Sequence, residues 1–359
     1  MGAAASAAEV ALCRVRRAPT KPPAPPPSPP PLGKTLAVRV VTYNVLTPGY
    51  AAEHVVASPG CLAPGARLSM LQQKLLPEVA RHSVLCLQEL SLGWAGHLGA
   101  WLSDMGYHLV SAQYSRPNSL YMGVAIAYPR NWYMLEEARM QRVGDFKPRP
   151  SSGEPPVAPW PLVRARENQM VSVRLRPCVG GREGGREFTV SNYHMPCVWM
   201  DGRFMRAHAA LAAQAARAFA AGLPYVLAGD FNFTPETPAY AMMTRGSAER
   251  DEPPPEAPGD GWACEVRPPL RSACAVALGR EPAFTTLSLK RSDAAQGGKP
   301  FGDTLDYVFL SPEWAVEGVA GVSEGELGAL RERGGGTMPF PGEPSDHAMI
   351  AVQLQLGHE

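Results

Sequence analysis

Acids, carboxamides and imidazoles recur in this chain directly after short apolar runs. Val38–Tyr43 ends at Asn44, and Val84-Leu85-Cys86-Leu87 leads through Gln88 to Glu89. Phe188–Tyr193 ends at His194, and Tyr225–Ala228 runs into Gly229-Asp230-Phe231-Asn232. Asp306 stands within Thr304–Leu310, and Asp346-His347 precedes Ala348–Leu356. Apolar strands that end in this way gather polar groups on one rim of a packed sheet. Acids collected there repel one another unless a cation or an imidazolium offsets them. A metal site is the economical explanation. Magnesium suits such oxygen-rich groups, being a hard ion usually held by one or two carboxylates together with substrate phosphate.

Glu89 is the leading ligand candidate, although a lone strand-end acid facing water would look the same. Asp230 and Asn232 flank Phe231. In extended backbone, residues two apart share a face, where a carboxylate and a carboxamide could orient a water molecule. Standing alone, the same four residues would fit an Asx turn, with Asn232 or Thr234 capping the next helix. A histidine held by a carboxylate has a raised pKa and a fixed ring. His347, with Asp306 available to hold it, therefore suits acid, base or phosphate-partner chemistry; an exposed or capping histidine is the plainer alternative. His194 alone reads as structural, and His54, His82, His97, His108, His208 and His358 receive no role. No HExxH, GxxxxGK[ST] or GxSxG occurs, which argues against zincin peptidases, P-loop NTPases and α/β-hydrolases.

The elements that must position these residues are legible as periodicity. Leu68, Leu71, Leu75, Leu76 and Val79 recur at helical spacing and predict a helix over Ala66–Arg81. Ser83–Leu87 reads as a buried strand, and a helix follows over Leu92–Asp104 with Gly106 as its stop. Strands are expected at Tyr107–Ala112, Gly123–Tyr128, Gln169–Leu175, Phe188–Tyr193, Tyr225–Ala228, Thr304–Leu310, Val316–Val322 and Ala348–Leu356. Phe204, Leu211, Ala215, Ala218 and Phe219 mark one face of a long helix. Gly144–Pro161 and Arg245–Pro269 are rich in Pro, Gly and charge and read as surface insertions. Several strand pairs lack an intervening helix, so the pattern predicts an α+β two-sheet sandwich flanked by helices rather than a doubly wound sheet.

Composition bounds the rest. A 359-residue chain with 45% hydrophobic residues supports one large domain with a sizeable core. A net charge of +1 argues against binding by massive phosphate neutralisation but leaves room for a local basic cleft. Seven scattered cysteines without a CxxC pair point to a reducing compartment, the cytoplasm by default, without a disulfide framework. No apolar run approaches the roughly 20 residues needed to cross a bilayer. Pro19–Pro31 is nearly all proline, so residues 1–34 read as an extended tail and linker, with the domain spanning 35–359. The tail's opening fits both a myristoylation pattern and an Ala- and Arg-rich transit segment; a plain disordered tail is the preferred reading over either address.

Taken in order, Thr42-Tyr43-Asn44, Leu87-Gln88-Glu89, His194, Gly229-Asp230-Phe231-Asn232, Thr304-Leu305-Asp306-Tyr307 and Ser345-Asp346-His347 resemble the endonuclease/exonuclease/phosphatase superfamily. Tyr43-Asn44-Val45-Leu46 and Thr304-Leu305-Asp306-Tyr307-Val308-Phe309 look most similar to its deadenylase-like branch of nocturnin, Angel and carbon-catabolite-repression-type nucleases. The resemblance implies a four-layer α/β sandwich of two mixed sheets with helices outside. It also implies Mg2+, with Mn2+ as substitute, and in-line hydrolysis of a phosphoester, expected to be removal of nucleotides from RNA 3′ ends by a monomer. On this basis Glu89 would bind metal, with Asn44 supporting metal and phosphate and Asp346 lying beside the metal or water. Asp230 and Asn232 would direct water, His194 and His347 would contact phosphate, and Asp306 would brace His347. Tyr121, Trp199 and Phe301 are candidates for stacking bases. A phosphatase for a nucleotide or phospholipid would share the same core residues. A dead binding module would have lost Glu89, Asp230 or His347, and all three are present.

Overall fold

A computed structural model describes residues 35–55, 63–114, 122–147, 158–179, 182–183, 185–247 and 262–357. The proposed N-terminal tail and Tyr121 lie outside the described residues. Fifteen strands are found among the described residues, numbered in chain order. The first sheet contains β1 (Thr35–Asn44), β2 (Val84–Gln88), β3 (Tyr107–Tyr114), β4 (Met122–Pro129), β14 (Trp314–Ala320) and β15 (Ile350–Gly357), in the order β14-β15-β1-β2-β4-β3. The second contains β5 (Tyr133–Arg142), β6 (Gln169–Val179), β8 (Phe188–His194), β9 (Tyr225–Asp230), β10 (Arg271–Ser272) and β13 (Asp306–Leu310), in the order β10-β13-β9-β8-β6-β5. A short β7 (Arg182–Glu183) adds to β6, and β11 (Thr286–Ser288) and β12 (Phe301–Asp303) form a separate hairpin.

Both sheets are mixed, because β1–β2 and β8–β9 run parallel while the other pairs are antiparallel. The central strands are apolar on both faces because both faces are covered. Alternate residues of β1 show the division. Val38 and Val40 point into the core between the sheets, facing Val173, Val190 and Val308. Val41 and Tyr43 point outward into a second core with Leu71, Leu75 and Leu98 of the helices Pro64–Ala80 and Leu92–Asp104. The helix Gly202–Ala220 covers the outer face of the second sheet, burying Phe204, Leu211 and Ala215 against Tyr193, Leu227 and Phe309. The result is four layers: helices, sheet, sheet, helix.

Several elements depart from the sequence expectations for identifiable reasons. Leu76 is 46% exposed, because the buried face of the helix carries Arg67, Leu71, Leu75, Glu78 and Val79. Strand β5 has no apolar alternation to reveal it. It is an edge strand whose Glu136 and Glu137 pair with Arg176 and Arg174 of its neighbour, which is how an edge stays soluble. The helix Glu324–Arg333 is set by a capping box between Ser323 and Glu326 and buries only Leu327, so its sequence carries almost no stripe. The two segments read as surface insertions contribute to the core at their described ends. Gly144 and Trp160 are buried in the first, and Val266 in the second.

Glu78 ties helix Pro64–Ala80 to the first sheet. Its carboxylate accepts from Arg39 Nε at 2.6 Å and Nη2 at 2.9 Å, and from Ser83 Oγ at 2.8 Å. Burial alone would raise its pKa, but the Arg39 and Ser83 hydrogen bonds outweigh that and lower it. A carboxylate with a depressed native pKa contributes stability above its unfolded value, about 4.3. That contribution is lost as pH falls through the native value. Glu78→Gln should therefore cost about 2 kcal/mol at pH 7 by urea unfolding, with the gap to the native protein closing as the solution is acidified below pH 4.

Gly229 is where β9 passes closest to β8. Its φ is 146°, and an added Cβ would lie 1.8 Å from the Tyr193 carbonyl oxygen. Because Tyr193 is fixed between sheet and helix, the strands would have to separate. Gly229→Ala should destabilise the fold by about 1–3 kcal/mol, read as a lower thermal unfolding midpoint.

Candidate active site

Strand register alone brings three of the sequence-identified residues together. His194 pairs with Asp230 across β8–β9, and Asp230 pairs with Asp306 across β9–β13. They occupy one rung at the end of the second sheet. Asn44 pairs with Gln88 at the corresponding rim of the first sheet. The two rims meet: Asn44 Nδ2 donates to Asp230 Oδ2 at 2.9 Å and to Glu89 Oε1 at 3.1 Å. Beside Asn44, Gln88 Nε2 donates to Asn192 Oδ1 at 2.7 Å, while Asn192 Nδ2 donates to the carbonyls of Leu87 and Ala125 at 2.9 Å.

The backbone is strained where it reaches this rim. Leu46, Glu89 and Asn232 all adopt left-handed conformations, with φ of 54°, 56° and 51°. Such positions cost free energy for non-glycine residues and persist where surrounding bonds over-determine them. Those bonds are present. Glu89 Oε2 accepts from the Thr47 amide at 2.9 Å, the Leu46 amide donates to Asn44 Oδ1 at 2.9 Å, and the Asn232 amide donates to Asp230 Oδ1 at 3.0 Å. Two sequence expectations change in detail here. Asn44 turns its NH2 toward the acids, since its oxygen is taken by the Leu46 amide. Asn232 lies beyond the end of β9 in a left-handed turn rather than on an extended alternation, and its side-chain Nδ2 donates to the Met195 carbonyl at 2.8 Å.

His347 and Asp346 complete the group from the loop before β15. His347 Nδ1 lies 2.7 Å from Asp306 Oδ2, and Thr285 Oγ1 donates to the same carboxylate oxygen at 2.6 Å. The other ring nitrogen, Nε2, faces Asp230 Oδ2 at 3.8 Å and Asp346 Oδ1 at 4.0 Å. Burial alone would depress the His347 pKa, but Asp306, Asp346 and Asp230 more than reverse this and raise it well above that of an ordinary imidazole. Burial pushes the Asp306 carboxyl up, against the pull of His347. Burial would also lift Asp346, yet His347 and a 3.1 Å contact from His54 Nε2 keep it well below the ordinary carboxylate range. On the far side, the Tyr114 hydroxyl lies 2.7 Å from His194 Nδ1. Burial keeps that phenol protonated, so it can donate to Nδ1 and leave the proton on Nε2, which is 3.6 Å from Asp230 Oδ2.

Four acids, Glu89, Asp230, Asp306 and Asp346, thus share a buried rim with His347 and His54, both of which have raised pKa values. Acids outnumber these rings by two, an imbalance that a divalent cation fits, and the donors are hard carboxylate oxygens. The tightest geometric trio is Asp230, Asp306 and His347, whose nearest ligand atoms lie within 4.8 Å of one another. Within it, His347 Nδ1 is engaged with Asp306. The carboxylates of Glu89 and Asp346 are also buried at the rim and could hold a cation together with Asp230. Asp306 Oδ1 is buried without a hydrogen-bond partner among the described residues.

The sequence reading missed His54, Tyr114, Thr285 and Asn192. Nothing local marks them, because their partners lie 292, 80, 21 and 104 residues away. Of the proposed stacking aromatics, Trp199 is 73% and Phe301 51% exposed. His208 is a core residue against the Tyr193 hydroxyl.

The chain is similar to known proteins. The model of the Endonuclease/Exonuclease/phosphatase family matches residues 41–347. The 2',5'-phosphodiesterase 12 of Mus musculus is 24% identical over 337 residues, covering 89% of this chain and 52% of that protein; this chain spans about half the length of the curated relatives it matches. Among solved structures, ANGEL2, described as a 2',3'-cyclic phosphatase and bound to adenosine-2',3'-vanadate, superposes with a TM-score of 0.69 at 17% identity, over 90% of this chain and 96% of that one. The human Nocturnin catalytic domain superposes with a TM-score of 0.57 at 17% identity, over 90% and 95%. With a family match that extends from β1 to His347 and takes in the whole rim, the chain belongs to the endonuclease/exonuclease/phosphatase family.

Proposed function

We propose that this chain is a Mg2+-dependent phosphodiesterase that hydrolyses phosphate esters at RNA 3′ ends, in the manner of a 3′-to-5′ exoribonuclease. The observation that carries the reading is the shared rung of His194, Asp230 and Asp306, facing Asn44 and Glu89 across the sandwich. A bound divalent ion, held by Glu89 with Asp346 and Asp230, would polarise a non-bridging phosphate oxygen and offset charge on the leaving oxygen. The chain's own residues supply the rest. Each oxygen of Asp230 accepts one hydrogen bond, from Asn44 or from the Asn232 amide, and keeps capacity to hold an attacking water. The Nε2–H of His347 points into the space between Asp230 and Asp346, where a phosphate oxygen would gain a charged donor as its charge grows. Asp306 fixes that ring, and His194 adds a second donor from the other side.

For the substrate class, exposed Trp199 and Phe301 suit stacking on bases. ANGEL2 is described as a 2',3'-cyclic phosphatase and holds adenosine-2',3'-vanadate, and another relative is a 2',5'-phosphodiesterase. A small-molecule reading, in which the substrate is a free nucleotide or a phospholipid, uses the same rim.

The purified protein should release AMP from poly(A) in the presence of Mg2+ and lose activity in chelator, with Mn2+ restoring it. A 2',3'-cyclic-ended RNA, a 2',5'-linked oligoadenylate and free nucleotide phosphates belong in the same panel. Release of inorganic phosphate alone would overturn the exonuclease in favour of a phosphatase. Asp230→Asn keeps the size of the side chain and should lower kcat about 10²–10⁴-fold with an unchanged unfolding midpoint. A variant that turns over near the native rate refutes the role given to Asp230.

A further inference from the structure

The role of His54 extends the reading of the site just given and rests on it. We propose that His54 is a positioning residue that fixes the side-chain orientation of Asp346 and so aims its second oxygen into the site. His54 is 3% exposed. Its Nδ1 lies 3.1 Å from the Tyr50 carbonyl oxygen, and its Nε2 lies 3.1 Å from Asp346 Oδ2. Both partners are acceptors, so both nitrogens donate. One oxygen of Asp346 is thereby engaged on the His54 side. The other, Oδ1, faces Ser345 Oγ at 3.5 Å and His347 Nε2 at 4.0 Å.

The main chain of Asp346 is held independently. Its carbonyl accepts from the Leu287 amide at 2.9 Å and from Thr286 Oγ1 at 3.1 Å. Backbone bonds place the residue but leave its carboxylate free to rotate, and the 3.1 Å bond from His54 removes that freedom. His54 is itself clamped by a seam between two segments. The Val55 amide donates to the Leu289 carbonyl at 2.8 Å, the Arg291 amide to the Glu53 carbonyl at 2.8 Å, and Arg291 Nε to the His54 carbonyl at 3.0 Å. Lys290, bridged to His54 through the backbone, carries the other charge beside the ring, and its amine pairs loosely with Glu53 at 3.8 Å. A group buried, doubly hydrogen-bonded and anchored on both sides has the rigidity that a supporting contact needs.

Three substitutions and one background test this. His54→Leu removes the donor and should lower kcat, and the affinity for Mg2+ measured calorimetrically without substrate, by about 10–100-fold, with KM little changed. His54→Gln retains an amide that reaches the carboxylate and should recover most of the loss. His54→Asn is one methylene shorter and should not. In an Asp346→Asn background, His54→Leu should add no further loss, because the two act as one unit. A His54→Leu protein with native kcat and native Mg2+ affinity, losses that simply add in the double variant, or His54→Gln performing no better than His54→Asn would each overturn the assignment. The Gln and Asn pair decides the matter if the Leu variant does not fold. Absence of hydrolysis in the native protein on every substrate would defeat the proposed function, and the calorimetric comparison would still judge His54.

Discussion

The contact on which the rest depends is the pair of carboxamide bridges between the sheets. Inside an otherwise apolar sandwich Gln88 donates to Asn192, Asn192 donates to two main-chain carbonyls of the first sheet, and Asn44 reaches across to Asp230 nearer the rim. Unpaired buried amides are costly. Sliding one sheet over the other would break these bonds without replacing them. Apolar packing between Val, Ile and Leu side chains favours burial in many alignments, whereas these amides select one. The alignment they select brings Glu89 and Asn44 opposite His194, Asp230 and Asp306.

From that constraint the electrostatics follow. Four acids at one buried rim would be unfavourable in isolation. The arrangement divides them: Asp306 is committed to His347 and Thr285, Asp346 is shared between His54 and the site, and Glu89 and Asp230 are linked by the Asn44 amide. Two imidazole rings with raised pKa values offset part of the charge. What is left is a concentration of hard oxygen donors beside a charged N–H, a combination suited to phosphate chemistry. The left-handed backbone at Leu46, Glu89 and Asn232 is confined to the same rim, and amide donors to the site's own side chains support it.

Much of this was legible in the chain, for a physical reason. Strands covered on both faces are apolar throughout, so Val84–Leu87 and Tyr225–Ala228 stand out, and whatever polar residue follows them falls at the rim. That logic finds Glu89, His194 and Asp230, and simple register then places Asp306, at the start of β13, beside Asp230 and His194. It cannot find β5, whose charges serve cross-strand pairing at an edge, or the helix Glu324–Arg333, which buries one leucine. It also misses His54 and Tyr114. Each sits in a stretch with no distinctive pattern and gains its meaning only from a partner far along the chain. Asn44 illustrates an intermediate case: its position could be read, but which end of its amide faces the acids depends on the turn at Leu46.

The pairing of β1 with β15 bears on how the molecule is made. Thr35 lies opposite Gly357, and β1 sits between β15 and β2, so a strand more than 300 residues along the chain from β1 is an interior strand of the first sheet. Asp346 and His347 arrive just before it. During translation, a growing polypeptide can form the second sheet and most of the helices while the first sheet still has an open seam beside β1. A nascent chain that has not yet been extended through Asp346 and His347 therefore cannot hold a finished rim, however well its second sheet has formed.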